Sequence, residues 1–247
     1  MPSSARVGRF TWRGATIVLE STGAGERTFV LVHGIGMGRS VFSDLAQHLR
    51  PRGRVVTIDL PGYGEAPEPP RTLTVERSAD VVAAYLRDAR HSDVTLIGHS
   101  MGAQIAVEVE ARHPALVRRL VLAGPTVDPR ARTARAQLAR LLRDIAVERP
   151  VVWARGAREY LRAGPHLRAK MRAMLAHRIE HTLPRVAVPV LVLRGADDLV
   201  APRDWCEAVV ALLPDGVLAE IADHGHETMI RDSSLVADLI VGFARQG

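Results

Sequence analysis

The 247-residue chain has one cysteine, Cys206, and one lysine, Lys170. A single thiol excludes an internal disulfide and fits a reducing compartment. Aromatic residues are only 4% of the chain. They do not alternate with the basic residues as they would on a surface that stacks nucleic-acid bases, so no nucleic-acid partner is expected. No apolar run approaches the roughly 20 residues of a membrane span. Residues 1–9 lack the apolar core of a secretion signal, and the expected location is the cytoplasm. No cluster of histidines and carboxylates has metal-ligand spacing, so neither a metal nor a cofactor is expected. Oligomeric state leaves no mark in the pattern.

What is present is ordinary for a globular protein: 47% hydrophobic and 24% charged residues. The length suits one large domain, or one domain with an insertion. Charge is the uneven quantity. The net value is +6. Residues 126–185 hold thirteen arginines and Lys170 against five carboxylates, a net of +9, which leaves −3 for the remainder. Most of those arginines read as solvated helix faces. The excess leaves open an anionic acyl substrate, drawn by steering or by a forked arginine–carboxylate pair.

Residues 7–12 and 16–20 read as a hairpin turning at Arg13-Gly14. Residues 28–32, 54–58, 94–97, 120–123 and 188–193 are short apolar runs rich in branched side chains. Such runs mark strands of a parallel sheet covered on both faces. Helical patterns lie between them at 41–49, with Val41, Leu45, His48 and Leu49 on one side, and at 75–90 and 104–112. After residues 188–193 come a helix at 203–213, a strand at 217–221 and a helix at 234–244. This alternation predicts an α/β fold with a mostly parallel central sheet flanked by helices. It breaks at Gly124-Pro125, and residues 126–185 contain no strand pattern. Leu138, Leu141, Leu142 and Ile145 recur at helical spacing, as do Leu167, Met171, Met174 and Ile179. The expected organisation is a core of residues 1–125 and 186–247 with a helical cap, 126–185, inserted after a core strand.

Between the 94–97 strand and the next helix stands Gly98-His99-Ser100-Met101-Gly102. A strand, a glycine-flanked serine and a helix describe a nucleophile elbow. A serine hydroxyl needs a base, an orienting acid and donors for the oxyanion. Gly195-Ala196-Asp197-Asp198 follows one later strand, and Asp223-His224-Gly225-His226 follows the next. Two aspartates and two histidines are thereby available at the sheet edge.

With these segments the whole chain resembles the α/β-hydrolase superfamily, in its cap-bearing branch. His33-Gly34-Ile35-Gly36 is similar to that family's oxyanion loop, and Asp59-Leu60-Pro61-Gly62-Tyr63-Gly64 to its Asp-x-Pro-Gly-x-Gly loop. The Gly-His-Ser-Met-Gly elbow, the Gly-x-x-Asp-x-x-x-Pro acid loop at 195–202 and the Gly225-His226 turn follow in family order. Glu65 and Ala103 depart from it, where many members carry serine and glycine. The resemblance implies Ser100 as nucleophile, Asp198 as acid and His226 as base, with the N–H groups of Ile35 and Met101 facing the oxyanion. Asp128 and His224 are the reserves. His33 is expected either to brace its loop or to touch substrate, and His99 to pack. Trp153 and Tyr160, with Met171 and Met174, are expected to line a pocket or to pack the cap.

The implied activity is hydrolysis of a small or medium carboxylic ester through an acyl-enzyme. The alternatives are thioester hydrolysis, carbon–carbon bond hydrolysis, or a non-catalytic ligand-binding member of the fold. Glu227-Thr228-Met229, with no aromatic, follows His226. Members that cleave dienoates carry an aromatic there, which lowers the carbon–carbon option. Dehalogenases and epoxide hydrolases are disfavoured, because they place aspartate at the elbow.

Overall fold

A computed structural model describes residues 5–133, 135, 166–230 and 233–245. Among them, eight strands form one sheet: β1 (Arg6–Trp12), β2 (Ala15–Thr22), β3 (Arg27–Val32), β4 (Arg54–Asp59), β5 (Asp93–His99), β6 (Arg119–Ala123), β7 (Val190–Gly195) and β8 (Gly216–Ile221). Their spatial order is β1-β2-β4-β3-β5-β6-β7-β8. The β1–β2 and β2–β4 pairs are antiparallel, and every later pair is parallel. The expected mostly parallel sheet is therefore present, with the hairpin turning at Arg13-Gly14 on one edge.

Successive side chains of a strand point to opposite faces, so each run of branched residues feeds two layers. Val30, Val32, Leu96, Leu120, Leu122 and Val192 pack on one face. There they meet α2 (Val75–Ala89), α3 (Met101–Arg112) and a later helix, Arg203–Leu212. Phe29, Leu31, Ile97, Val121, Leu191 and Leu193 pack on the other, against α1 (Ser43–Leu49) and a helix at Ser234–Ala244. Burial on both sides is why these strands read as unbroken apolar runs.

Two helix starts differ from the sequence pattern. Residues Arg39–Phe42 form a 3₁₀ turn ahead of α1. Its tighter winding shifts the phase, so Phe42 is buried while His48 is exposed and lies 3.7 Å from Asp44. Helix α3 begins at Met101, immediately after the serine, three residues earlier than the pattern at 104.

Between β6 and β7 the described residues include a 3₁₀ turn Pro129–Ala131, α4 (Leu167–Ala176), α5 (Ile179–Thr182) and a 3₁₀ turn Leu183–Arg185. Met174 and Ile179 are buried in the same cluster as the sheet face. Leu138, Leu141, Leu142 and Ile145 lie outside the described residues. The helices at Arg203–Leu212 and Ser234–Ala244 are α6 and α7. Among the described residues, no helix is long and apolar enough to cross a membrane.

Candidate active site

Parallel strands deliver their C-terminal ends to one edge of a sheet, where ligands bind in open α/β folds. Here β5 ends at His99, β7 at Gly195 and β8 at Ile221. The loops that follow carry Ser100, Asp198 and His226.

Ser100 has φ 55° and ψ −117°, a conformation that L-residues rarely adopt. Its N–H donates to the Ala123 carbonyl of the neighbouring strand end at 2.9 Å, and its carbonyl accepts from Ala103 N–H at 3.0 Å to start α3. The turn is that sharp because nothing stands in its way. A β-carbon on Gly98 would strike the Gly102 carbonyl, and one on Gly102 would strike the Val32 carbonyl. The His33–Gly38 loop lies beside the serine: a β-carbon on Gly34 would come 2.9 Å from Ser100 Cβ. Ile35 belongs to that loop, and Met101 is the first residue of α3. The positive end of the helix therefore lies at Ser100.

Asp198 and His226 are brought together. His226 Nδ1 lies 2.9 Å from Asp198 Oδ2, a distance at which the ring N–H donates to the carboxylate. Asp198 is 1% exposed. Burial opposes its charge, but His226 and the N–H groups of Ala201 and Val200, each 2.8 Å from Oδ1, hold its carboxyl below the usual range. The loops are also joined through the main chain, Asp197 N–H donating to the His224 carbonyl at 2.9 Å.

The two reserves make contacts within their own turns. His224 Nδ1 lies 2.9 Å from the Ala222 carbonyl, within its own turn. Asp128 Oδ1 accepts from Arg130 N–H at 2.9 Å and caps the Pro129–Ala131 turn. Trp153 and Tyr160 lie outside the described residues.

Of the two expectations for His33, the geometry is that of the loop brace. Its ring is 0% exposed, Nδ1 donates to the Gly34 carbonyl at 2.7 Å, and Nε2 accepts from Leu60 N–H at 3.1 Å. Burial pushes it down to about 4, so it stays neutral near pH 7. No ring nitrogen is left for substrate. The Asp59 loop is braced in turn: Asp59 accepts from Glu65 N–H at 3.0 Å and pairs with the Arg39 guanidinium. The departing residue Glu65 joins this network, 2.8 Å from Arg39 Nη2.

The chain has relatives among known proteins. The model of the Alpha/beta hydrolase family matches residues 29–239. The chain belongs to the alpha/beta hydrolase family. It is a hydrolase, and relatives of nearly its whole length carry that name or that of an esterase. "Putative carbamate hydrolase RutD" of Yersinia enterocolitica is 26% identical over 255 residues, covering 88% of this chain and 87% of the relative. "Pimeloyl-[acyl-carrier protein] methyl ester esterase" of Aromatoleum aromaticum is 28% identical over 263 residues, covering 87% of this chain and 97% of the relative. The solved esterase EaEST from Exiguobacterium antarcticum superposes with a TM-score of 0.82 at 20% identity, covering 94% of this chain and 96% of that one. The last likeness is one of fold.

Two residues of the hydrolase stand out that the sequence pattern did not single out for the site. His99 Nε2 donates to the His226 main-chain carbonyl at 2.9 Å, so the residue before the serine holds the backbone of the histidine. Lys170, counted above as one of a basic excess, is buried on α4. Its ammonium donates to the Gly62 carbonyl at 2.5 Å and to Glu68 at 2.9 Å, and lies 4.4 Å from the Tyr63 ring centre. It lines a partly open recess of about 370 Å³, counting the solvent space within it, with Tyr63, Leu73, Met101, Ile105 and Met174.

Proposed function

We propose that the protein is a serine hydrolase that cleaves carboxylic esters of small or medium size through an acyl-enzyme. The observation that carries this reading is the 2.9 Å contact of His226 Nδ1 with Asp198 Oδ2, at the sheet edge that holds Ser100 in its strained turn. Ser100 Oγ attacks the carbonyl carbon while its proton passes to Nε2 of His226. Asp198, across Nδ1, steadies the positive ring. The carbonyl oxygen becomes an oxyanion facing the N–H groups of Ile35 and Met101, and such preorganised donors supply about 3–4 kcal/mol each. The carbon–oxygen bond then breaks, and His226 returns the proton to the leaving alcohol. Water attacks the acyl carbon by the same route, giving its proton to His226. Ser100 recovers a proton as the acid leaves.

In this reading residues 126–185 form a cap over the sheet edge. Its described part supplies one wall of the recess, through Lys170, Ala173 and Met174. The excess of arginine in residues 126–185 favours an acidic acyl or alcohol group. The ester named for the Aromatoleum relative supports the choice of bond.

A second reading has the likeness to RutD behind it: a carbamate carbonyl is open to the same attack. Fluorophosphonate labelling tests the nucleophile, and a panel of nitrophenyl esters, methyl esters, thioesters and carbamates tests the bond. The expected outcome is stoichiometric labelling at Ser100, with turnover highest on an ester. Ser100→Ala keeps its fold and loses both labelling and turnover. Full turnover in that variant rules the reading out.

A further inference from the structure

We propose that Arg194 is the positioning residue of the acid loop: its buried guanidinium holds the turn that presents Asp198 to His226. This rests on the triad reading and adds a residue to it.

Arg194 stands in β7, a strand buried at every position, and is itself 4% exposed. A charge placed there needs partners. One is Glu220, its register neighbour on β8, which accepts from Arg194 Nη1. Glu220 is held from the other side by Arg203 Nη1 at 3.2 Å. This pairing uses one corner of the fork. The rest turns onto the loop that follows the strand. Nη2 donates to the carbonyls of Ala196 at 3.1 Å and Asp198 at 3.2 Å, and Nε donates to the carbonyl of Ala201 at 3.3 Å.

Those three carbonyls run from the first residue of the loop to the end of the Asp198 turn. The same loop is also closed by the Asp198 carboxylate, which accepts from Val200 and Ala201 N–H. The loop is therefore held by two groups, the Arg194 guanidinium at its carbonyls and its own acid at its N–H groups. Stability alone does not call for this. A buried ion pair is often matched by an apolar residue of similar volume. The fork adds direction: its donors lie in one plane at fixed angles. The carbonyl groups they hold set the main chain from which the Asp198 side chain reaches Nδ1.

The test uses the full-length chain and a neutral nitrophenyl ester. Arg194→Met, Asp198→Asn and the double variant are compared with wild type for kcat, KM and melting temperature. The expected loss in Arg194→Met is about 10–100-fold in kcat, with KM within about twofold, as for a misplaced catalytic group. In the Asp198→Asn background the same substitution changes kcat by less than about twofold, because the carboxylate it positions is gone. Equal fold-losses in the two backgrounds overturn the proposal. Arg194→Lys keeps the charge opposite Glu220 and gives up the fork. It is expected to melt near wild type with kcat between wild type and Arg194→Met. Wild-type kcat in Arg194→Lys overturns the proposal even where Arg194→Met fails to fold. Failure of the triad reading looks different: Ser100 resists fluorophosphonate in the wild type, or Asp198→Asn keeps full activity.

Discussion

His99 and His226, 127 residues apart, are joined by a 2.9 Å hydrogen bond from the ring of the first to the main-chain carbonyl of the second. Their rings lie 5.0 Å apart. Burial, and then the neighbouring His226, push His99 down to about 4. A histidine whose value is lowered is neutral above it, so His99 stays uncharged between pH 5 and 9. Its role is to fix the backbone beneath the proposed base. His99→Leu leaves that carbonyl without this donor, at a cost of about 1–3 kcal/mol in stability. The expected kcat falls about tenfold or more with KM little changed. The pH–rate profile keeps its shape, and a new or missing titration in it counts against this role.

Ser100 carries its strain for position. Residues held in such rare backbone conformations cost about 1–3 kcal/mol each. Glycine removes that cost but gives back about 0.5–1 kcal/mol through its freer unfolded chain. Ser100→Gly is therefore expected to melt higher than wild type by a few degrees while losing activity, and Ser100→Ala to melt close to it. Parallel thermal scans of the two variants decide the matter. A glycine variant that melts below the alanine variant removes strain as the explanation.

The sheet was legible because its strands are covered on both faces, and unbroken runs such as residues 28–32 have few other uses. Helix phase was harder. Val41 and Phe42 both fit an apolar stripe, and only the 3₁₀ turn at Arg39–Phe42 decides between them. The start of α3 was missed because Gly102 is a poor helix former that close packing against Val32 requires. Ser100, Asp198 and His226 stand at strand ends within short motifs, so spacing located them and the family order chose between neighbours. Arg194 and Lys170 were illegible for a different reason. Composition counts both only as positive charge, yet both are buried. Lys170 meets Glu68, 102 residues away, and Arg194 meets Glu220 only once β7 and β8 lie in register.

Glu108, on α3, ties the segment before β7 to the core. It is buried, and its Oε1 accepts from His177 Nε2 at 3.0 Å and from Thr182 Oγ1 at 2.7 Å. Gln104, one turn earlier, donates to the Met174 carbonyl at 3.2 Å. Burial raises the Glu108 value, but the bonds from His177 and Thr182 outweigh it and bring the carboxyl below its ordinary 4.5. A carboxylate lowered by folding stabilises the fold above its unfolded value, and that stability is lost as pH falls through the folded value. Glu108→Gln is expected to melt lower than wild type at pH 7, by about 1–3 kcal/mol for bonds to a charged group. The gap closes as pH drops from about 4.5 downward. Urea titrations of both proteins at pH 7 and pH 3.5 check it, and a constant gap rules out the charged form as its source.

Gly124 offers the sharpest separation of fold from activity. It follows β6 with φ +51°, where a β-carbon costs about 1–2 kcal/mol. That carbon would lie 2.8 Å from His226 Cε1, 2.9 Å from His226 Nδ1 and 3.1 Å from Asp198 Oδ2. All three atoms belong to side chains. The His226 ring can therefore turn aside without moving a strand, and the fold survives. The contact between His226 and Asp198 does not survive, because both of its atoms are among those displaced. Gly124→Ala is expected to lose about 1–2 kcal/mol of stability from the backbone and about 100-fold in kcat from the displaced pair. Fluorophosphonate labelling of Ser100 slows by a similar factor, since in the proposed mechanism the same pair activates the serine toward both reagents. A variant that labels and turns over at the wild-type rate would show that His226 acts from a position Gly124 does not border.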